Sequence, residues 1–122
     1  MLTKQQIIIA IKSQIKEIVP ESEVILFGSR VNNTADEESD WDILVVSHSN
    51  ADRKKMKQVI HDKIFPLSVA IGSFINILLL TASDWQQNPS YYTLRRSVAQ
   101  NHQVLCNGYQ AKAGYLFHQS PS

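Results

Sequence analysis

Two acidic side chains, Asp40 and Asp42, stand two positions apart at the head of the apolar run Ile43-Leu44-Val45-Val46, with ten residues between them and the pair Gly28-Ser29. Side chains two apart on a strand project to the same side, so these carboxylates can converge on one ion while Trp41 faces the other way. Like charges held close repel and raise a pKa unless something positive lies between them. A hard divalent cation is the simplest candidate. Mg²⁺ takes oxygen ligands and is usually held by one or two carboxylates together with substrate phosphates.

The upstream turn offers the phosphate half of such an arrangement. Gly28 has no side chain to keep a triphosphate from the backbone, Ser29 brings a hydroxyl, and Arg30 a guanidinium that can grip phosphate oxygens. Backbone N–H groups at the turn would add to these. Singly, a Gly-Ser turn and an Asp-x-Asp at a strand start are ordinary surface features. Their spacing, each beside a hydrophobic strand, points to chemistry.

These residues need elements to position them. Thr3 and Gln6 have capping-box spacing, and Ile8, Ile11, Ile15, Ile18 and Val19 draw an apolar stripe, so a helix is predicted up to Pro20. "EVILFG" and "WDILVVS" read as strands buried on both faces, joined by the polar segment 30–39. From Asn50 to about Phe65 the pattern is helical, with Pro66 expected to end it. "SFINILLLT" is a third strand. Ser83 is expected to cap a further helix, and Pro89 to lie near the start of another through "SYYTLRRSVAQ", followed by a short apolar piece "QVLCNG" and a mixed tail.

The 122 residues fit one domain, residues 1–122, with no repeat or linker to divide them. A hydrophobic fraction of 43% with 19% charged residues is a globular balance. A net charge of +1 advertises neither a nucleic-acid nor a membrane partner. No run approaches the roughly 20 apolar residues that span a bilayer, and no export signal is legible. The one cysteine, Cys106, has no partner in disulfide or metal-ligand spacing and suits a reducing cytoplasm.

Gly28-Ser29, the ten-residue interval, Asp40-Trp41-Asp42 and the strand Ile43–Val46 together resemble the signature of the minimal nucleotidyltransferases, relatives of the DNA polymerase beta superfamily. The order helix, strand, strand, helix, strand extends the likeness over most of the chain. The resemblance implies an α+β, two-layer fold, a mixed β-sheet packed against helices, with the site at its exposed edge. It implies Mg²⁺ on Asp40 and Asp42, a nucleoside triphosphate, ATP first, on Gly28 and Ser29, and transfer of a nucleoside monophosphate to a hydroxyl of a protein or small molecule. Small chains of this kind also resemble the antitoxin half of toxin-antitoxin pairs, whose partner is a HEPN-domain toxin.

The pattern breaks on the third strand. Where the family usually carries a third carboxylate, this chain has Asn76 between Ile75 and Ile77. An amide among apolar neighbours needs a partner. Asn76 is expected either to present its carbonyl oxygen to the metal or to hydrogen-bond a neighbouring loop, and in neither case can it accept a hydroxyl proton. Asp36, Glu37, Glu38 or Asp84 are candidates for the missing charge. The turn also departs, reading Arg30-Val31-Asn32-Asn33 with one basic residue where the family often has two. The alternative to an enzyme is therefore a weakened nucleotide-binding or partner-binding module.

Other candidates are weaker. His48, His61, His102 and His118 have no metal-binding spacing and are assigned surface or packing roles. Tyr91, Tyr92, Arg95 and Arg96 could stack a base, but their helical spacing favours a packed face with arginines reaching over it. The run Asp52 to Lys57 reads as a solvated helix face.

Overall fold

The computed structural model describes residues 2–31, 39–48 and 53–106. Along them run α1 (Lys4–Ile18), β1 (Ser22–Phe27), a 3₁₀ turn (Gly28–Arg30), β2 (Trp41–Ser47), α2 (Arg53–Ile71), β3 (Ile75–Thr81), α3 (Ala82–Gln87), a second 3₁₀ turn (Pro89–Tyr91), α4 (Tyr92–Gln100) and β4 (His102–Cys106). The strands form a four-stranded sheet in the order β3-β2-β1-β4, with β1 antiparallel to both its neighbours and β2 parallel to β3. The expected α+β class with a mixed sheet is what the chain adopts.

The helix starts follow local chemistry. Thr3 accepts from the Gln6 backbone N–H while the Gln6 side chain accepts from that of Thr3, so the capping box forms. Helix α3 is capped by Thr81, whose hydroxyl accepts from the Asp84 N–H at 3.1 Å, rather than by the expected Ser83. The strand simply runs into the helix at its own last residue.

Pro66 does not end α2. Ile60, Ile64 and Leu67 continue one buried stripe through it, and Pro66 itself lies on the exposed side, where the carbonyl it leaves without a helical partner can be hydrated. Tertiary burial thus overrides the local breaker. The apolar piece "QVLCNG" is β4 over its described residues, paired with β1.

Helices cover both faces. Ile7, Ile8, Ile11 and Ile15 of α1 and Ile60, Ile64 and Leu67 of α2 pack on Val24, Leu26, Trp41, Ile43, Val45 and Leu79. On the other face Ile25, Leu44, Val46 and Leu80 meet Trp85 of α3 and Val98 of α4. Central strands β1 and β2 are therefore apolar on both sides, which explains their unbroken hydrophobic runs. No helix among the described residues is long and apolar enough to cross a membrane.

Candidate active site

Where β1 ends and β2 and β3 begin, the registers Phe27↔Asp42 and Asp42↔Asn76 set three side chains level on one face of the sheet. This is the strand-end edge, not a lateral one. Trp41, one residue earlier, is buried in the α1–α2 core, and that anchor orients the strand so that Asp42 faces outward at the opposite side.

Gly28 has φ +81°, a left-handed conformation that glycine adopts without strain. It turns the chain into the 3₁₀ turn, closed by the Val31 N–H donating to the Gly28 carbonyl at 3.2 Å. The same residue allows a close approach. A Cβ at Gly28 would collide with Oδ2 of Asp42 and lie 3.3 Å from its Cγ. Bend and carboxylate are thus pressed together, with Ser29 exposed beside them.

The carboxyl of Asp42 is held above its ordinary pKa. Burial is the main cause; a hydrogen bond from Asn76 opposes it, and the nearby charge of Asp40 adds to it. Nδ2 of Asn76 donates to Oδ1 of Asp42 at 3.4 Å, a long and weak bond. Asn76 is exposed, which corrects the expectation of an amide buried among apolar residues. It shares the site face with Asp42, while Ile75 points into the core. Its partner is the site carboxylate rather than a loop.

Two other expectations meet the geometry differently. Arg30 does not face the bend: its Cζ lies 4.6 Å from the Trp41 ring centroid, and Nη2 donates to the Ser39 carbonyl at 2.7 Å and to Ser73 Oγ at 3.4 Å. Stacked on Trp41, it sits on the far side of β2 from Asp42, so the phosphate-gripping role expected of it does not fit its position. Asp84 is also misplaced as a substitute carboxylate. It follows the opposite end of β3, about 16 Å along the strand from Asn76, and pairs there with Arg53 at 2.8 Å. Asn32, Asn33, Asp36, Glu37, Glu38 and His118 lie outside the described residues.

The aromatic and basic segment is packed only in part: Tyr91 lies against the core, whereas Tyr92 and Arg96 are exposed. Arg95 Nη1 donates to the carbonyls of Trp85 and Asn88 at 2.8 and 3.0 Å, and Arg96 lies over Tyr92. One neighbour of the site has no mark in the sequence. The level row Asn76, Asp42, Phe27 continues to His102 on β4, because Phe27 also pairs with His102. That nearness depends on β4 joining β1, which residue spacing does not reveal.

Asp42, with the charge of Asp40 nearby, brings carboxylate oxygens to this end, and the carbonyl of Asn76 is reachable by a flip of its amide. Such a set suits a hard cation. No group of three or more His, Cys, Asp or Glu among the described residues could hold a metal unaided, so phosphate and water oxygens would have to complete its shell.

The family model for the nucleotidyltransferase domain matches residues 8–91. No curated protein sequence matches the chain significantly. Among solved structures, the spectinomycin adenyltransferase AAD(9) from Enterococcus faecialis, crystallised with ATP and spectinomycin, superposes with a TM-score of 0.70 at 15% identity. That match covers 91% of this chain and 59% of that one. A toxin-antitoxin crystal structure with AMP-PNP is similar at a TM-score of 0.61 and 19% identity, over 89% of this chain and 79% of that one. A complex of tri-AMPylated Shewanella oneidensis HEPN toxin with MNT antitoxin is similar at 0.56 and 19%, over 93% and 80%. At these identities the superpositions establish a shared fold; the family match, over more than half of the sequence and spanning every residue of the site motif, establishes that the chain belongs to the nucleotidyltransferase domain family.

Proposed function

We propose that the protein transfers a nucleoside monophosphate, AMP from ATP in the first instance, to a hydroxyl of a protein or small molecule in the presence of Mg²⁺. The observation that carries this reading is the Asp42 carboxylate, raised in pKa and pressed against the Gly28 bend. A fold that places a poorly compensated negative charge where a phosphate-binding turn begins has left room for a cation arriving with its phosphates.

In this reading Gly28 and Ser29 hold the triphosphate, and Asp40 and Asp42, with Asn76, hold the metal. Bound Mg²⁺ supplies neutralisation of phosphate charge and stabilisation of the attacking and leaving oxygens. The hydroxyl oxygen bonds to the α-phosphorus, the bond to the bridging oxygen of the β-phosphate breaks, and pyrophosphate leaves. Asn76 cannot take the hydroxyl proton. Transfer is therefore slow unless the acceptor or a partner brings a base.

The similar folds bound to ATP, AMP-PNP and an AMPylated HEPN toxin support an adenylyl donor and a HEPN-domain toxin as acceptor and partner. The cytoplasm supplies ATP and magnesium for it, and a net charge of +1 gives no reason to invoke a nucleic-acid acceptor. A second reading, a nucleotide-binding or partner-binding module with decayed catalysis, is favoured by one observation, the Asn76 donor facing Asp42.

Incubation with Mg²⁺ and labelled ATP plus candidate acceptors separates the two. Turnover by the parent chain that vanishes in Asp42→Asn supports the enzyme. ATP binding with turnover only in Asn76→Asp supports the decayed module, and no binding of Mg²⁺ or nucleotide by the parent defeats the enzyme and leaves only a partner-binding role.

A further inference from the structure

The glycine bend and Asn76 lie on opposite sides of Asp42. Across the sheet the order is Asn76, Asp42, Phe27, and Gly28 follows Phe27 directly. Beyond the bend β4 pairs with β1, whereas β3 is the last strand on its side among the described residues, so the Asn76 flank of the site is the open one. In phosphoryl transfer the attacking and leaving oxygens stand roughly in line across the phosphorus. With a triphosphate held at Gly28 and Ser29, pyrophosphate departs toward the bend, and the attacking hydroxyl has to come from the other side, over β3.

One large side chain on that flank serves no core. Phe74 directly precedes β3, and its carbonyl accepts from the Trp41 N–H at 2.9 Å, which carries the β2–β3 register back by one residue and sets Phe74 level with Asp40. Ile75 is buried in the α1–α2 core, so by the alternation of an extended chain Phe74 falls on the face of Asn76 and Asp42, about 7 Å along the chain from Asn76. Phe74 is 52% exposed and belongs to neither buried cluster. Single exposed apolar residues are ordinary on a protein surface. What sets Phe74 apart is its place: a bare aromatic ring beside the candidate metal-binding side chains, on the side from which the acceptor must come.

We propose that Phe74 is an acceptor-contacting residue and that the acceptor carries an apolar or aromatic group beside its hydroxyl, which packs on the Phe74 ring. The inference rests on the nucleotidyl-transfer reading above and narrows the acceptor within it. The hydroxyl oxygen bonds to the α-phosphorus as the bond to the bridging oxygen breaks, pyrophosphate leaves at the bend, and the proton passes to a base of the acceptor or to water at the open edge, since Asn76 takes none. Phe74 does none of this chemistry; it holds the acceptor on the side where the attack is in line.

The test uses the chain loaded with Mg²⁺ and α,β-methylene ATP, whose α–β link cannot be broken, and two alcohols as probes. Titration with 2-phenylethanol should move the side-chain amide NMR resonances of Asn76 saturably, and glycerol at the same concentrations should not. In Phe74→Ser the affinity for 2-phenylethanol should fall about three- to tenfold, the scale of one aromatic pair, with nucleotide affinity changed less than about twofold and an unchanged thermal midpoint. Resonances that stay in place in the unmodified chain, glycerol bound as tightly as 2-phenylethanol, an undiminished affinity for 2-phenylethanol in Phe74→Ser, or equal weakening of alcohol and nucleotide would each overturn the proposal while leaving the nucleotide reading intact. Failure of the unmodified chain to bind the nucleotide would overturn that reading and this inference with it.

Discussion

Glu23 and Asp42 lie on neighbouring strands and on the same face of the sheet, at its opposite ends. The side chain of Glu23 is 3% accessible, and its Oε1 lies 3.0 Å from Nε2 of His48, itself 13% accessible. Asp42 is half-buried, is met by a neutral amide at 3.4 Å, has the charge of Asp40 nearby, and forms no ion pair among the described residues. Burial of a carboxylate does not by itself mark a site. The difference is who answers it: at one end a side chain that pairs with the carboxylate, at the other only a long bond from a neutral amide.

The largest effect expected of this contrast is on chemistry. Asp42→Asn should lower the rate of AMP transfer from labelled ATP by about 10²- to 10³-fold, the usual cost of losing one electrostatic element of a transition-state site. Glu23→Gln should leave it within about twofold. A comparable loss in both variants would erase the distinction between the two ends.

Stability should respond in the opposite sense. Glu23→Ala leaves His48 facing a buried gap and should cost about 1–3 kcal/mol in chemical denaturation, with ATP affinity unchanged. Asp42→Asn should stabilise the chain without metal or nucleotide, because it removes a charge that burial disfavours.

A backbone test is next in size. Gly28→Ala should cost about 1–2 kcal/mol for the left-handed conformation, and its methyl group would displace the Asp42 carboxylate. ATP binding should therefore fall by more than the stability change accounts for, and binding that survives would separate the bend from the site.

The smallest expected effect is on pH dependence. The folded chain holds the Asp42 proton more tightly than the unfolded chain does. Asp42 therefore contributes stability that is complete below the unfolded pKa of about 3.9 and is lost as pH rises through the higher folded value. Denaturation midpoints of the metal-free parent should fall relative to those of Asp42→Asn across that interval. A relative rise would show that the carboxylate has a favourable partner.

Much of this was legible in the residues because it is local. The Thr3–Gln6 box, the isoleucine stripe of α1 and the apolar runs of β1 and β2 each encode their structure in neighbouring positions. The Gly28–Asp42 juxtaposition was legible through motif spacing. What spacing does not encode is register and face. Asn76 reads as buried from Ile75 and Ile77, yet at the start of β3 it lies on the open side. Arg30 reads as a phosphate ligand until the turn carries it onto Trp41. Pro66 reads as a helix end until the packing of Leu67 is known, and His102 has no meaning for the site until β4 pairs with β1.

The most direct measurement is calorimetric binding of ATP with and without Mg²⁺ to the parent and to Asp42→Asn. If the carboxylate at the glycine bend is kept for a metal-bound triphosphate, the parent binds ATP more tightly with Mg²⁺ and the variant loses that gain. Equal ATP affinity with and without the metal, or an undiminished metal effect in Asp42→Asn, would contradict it.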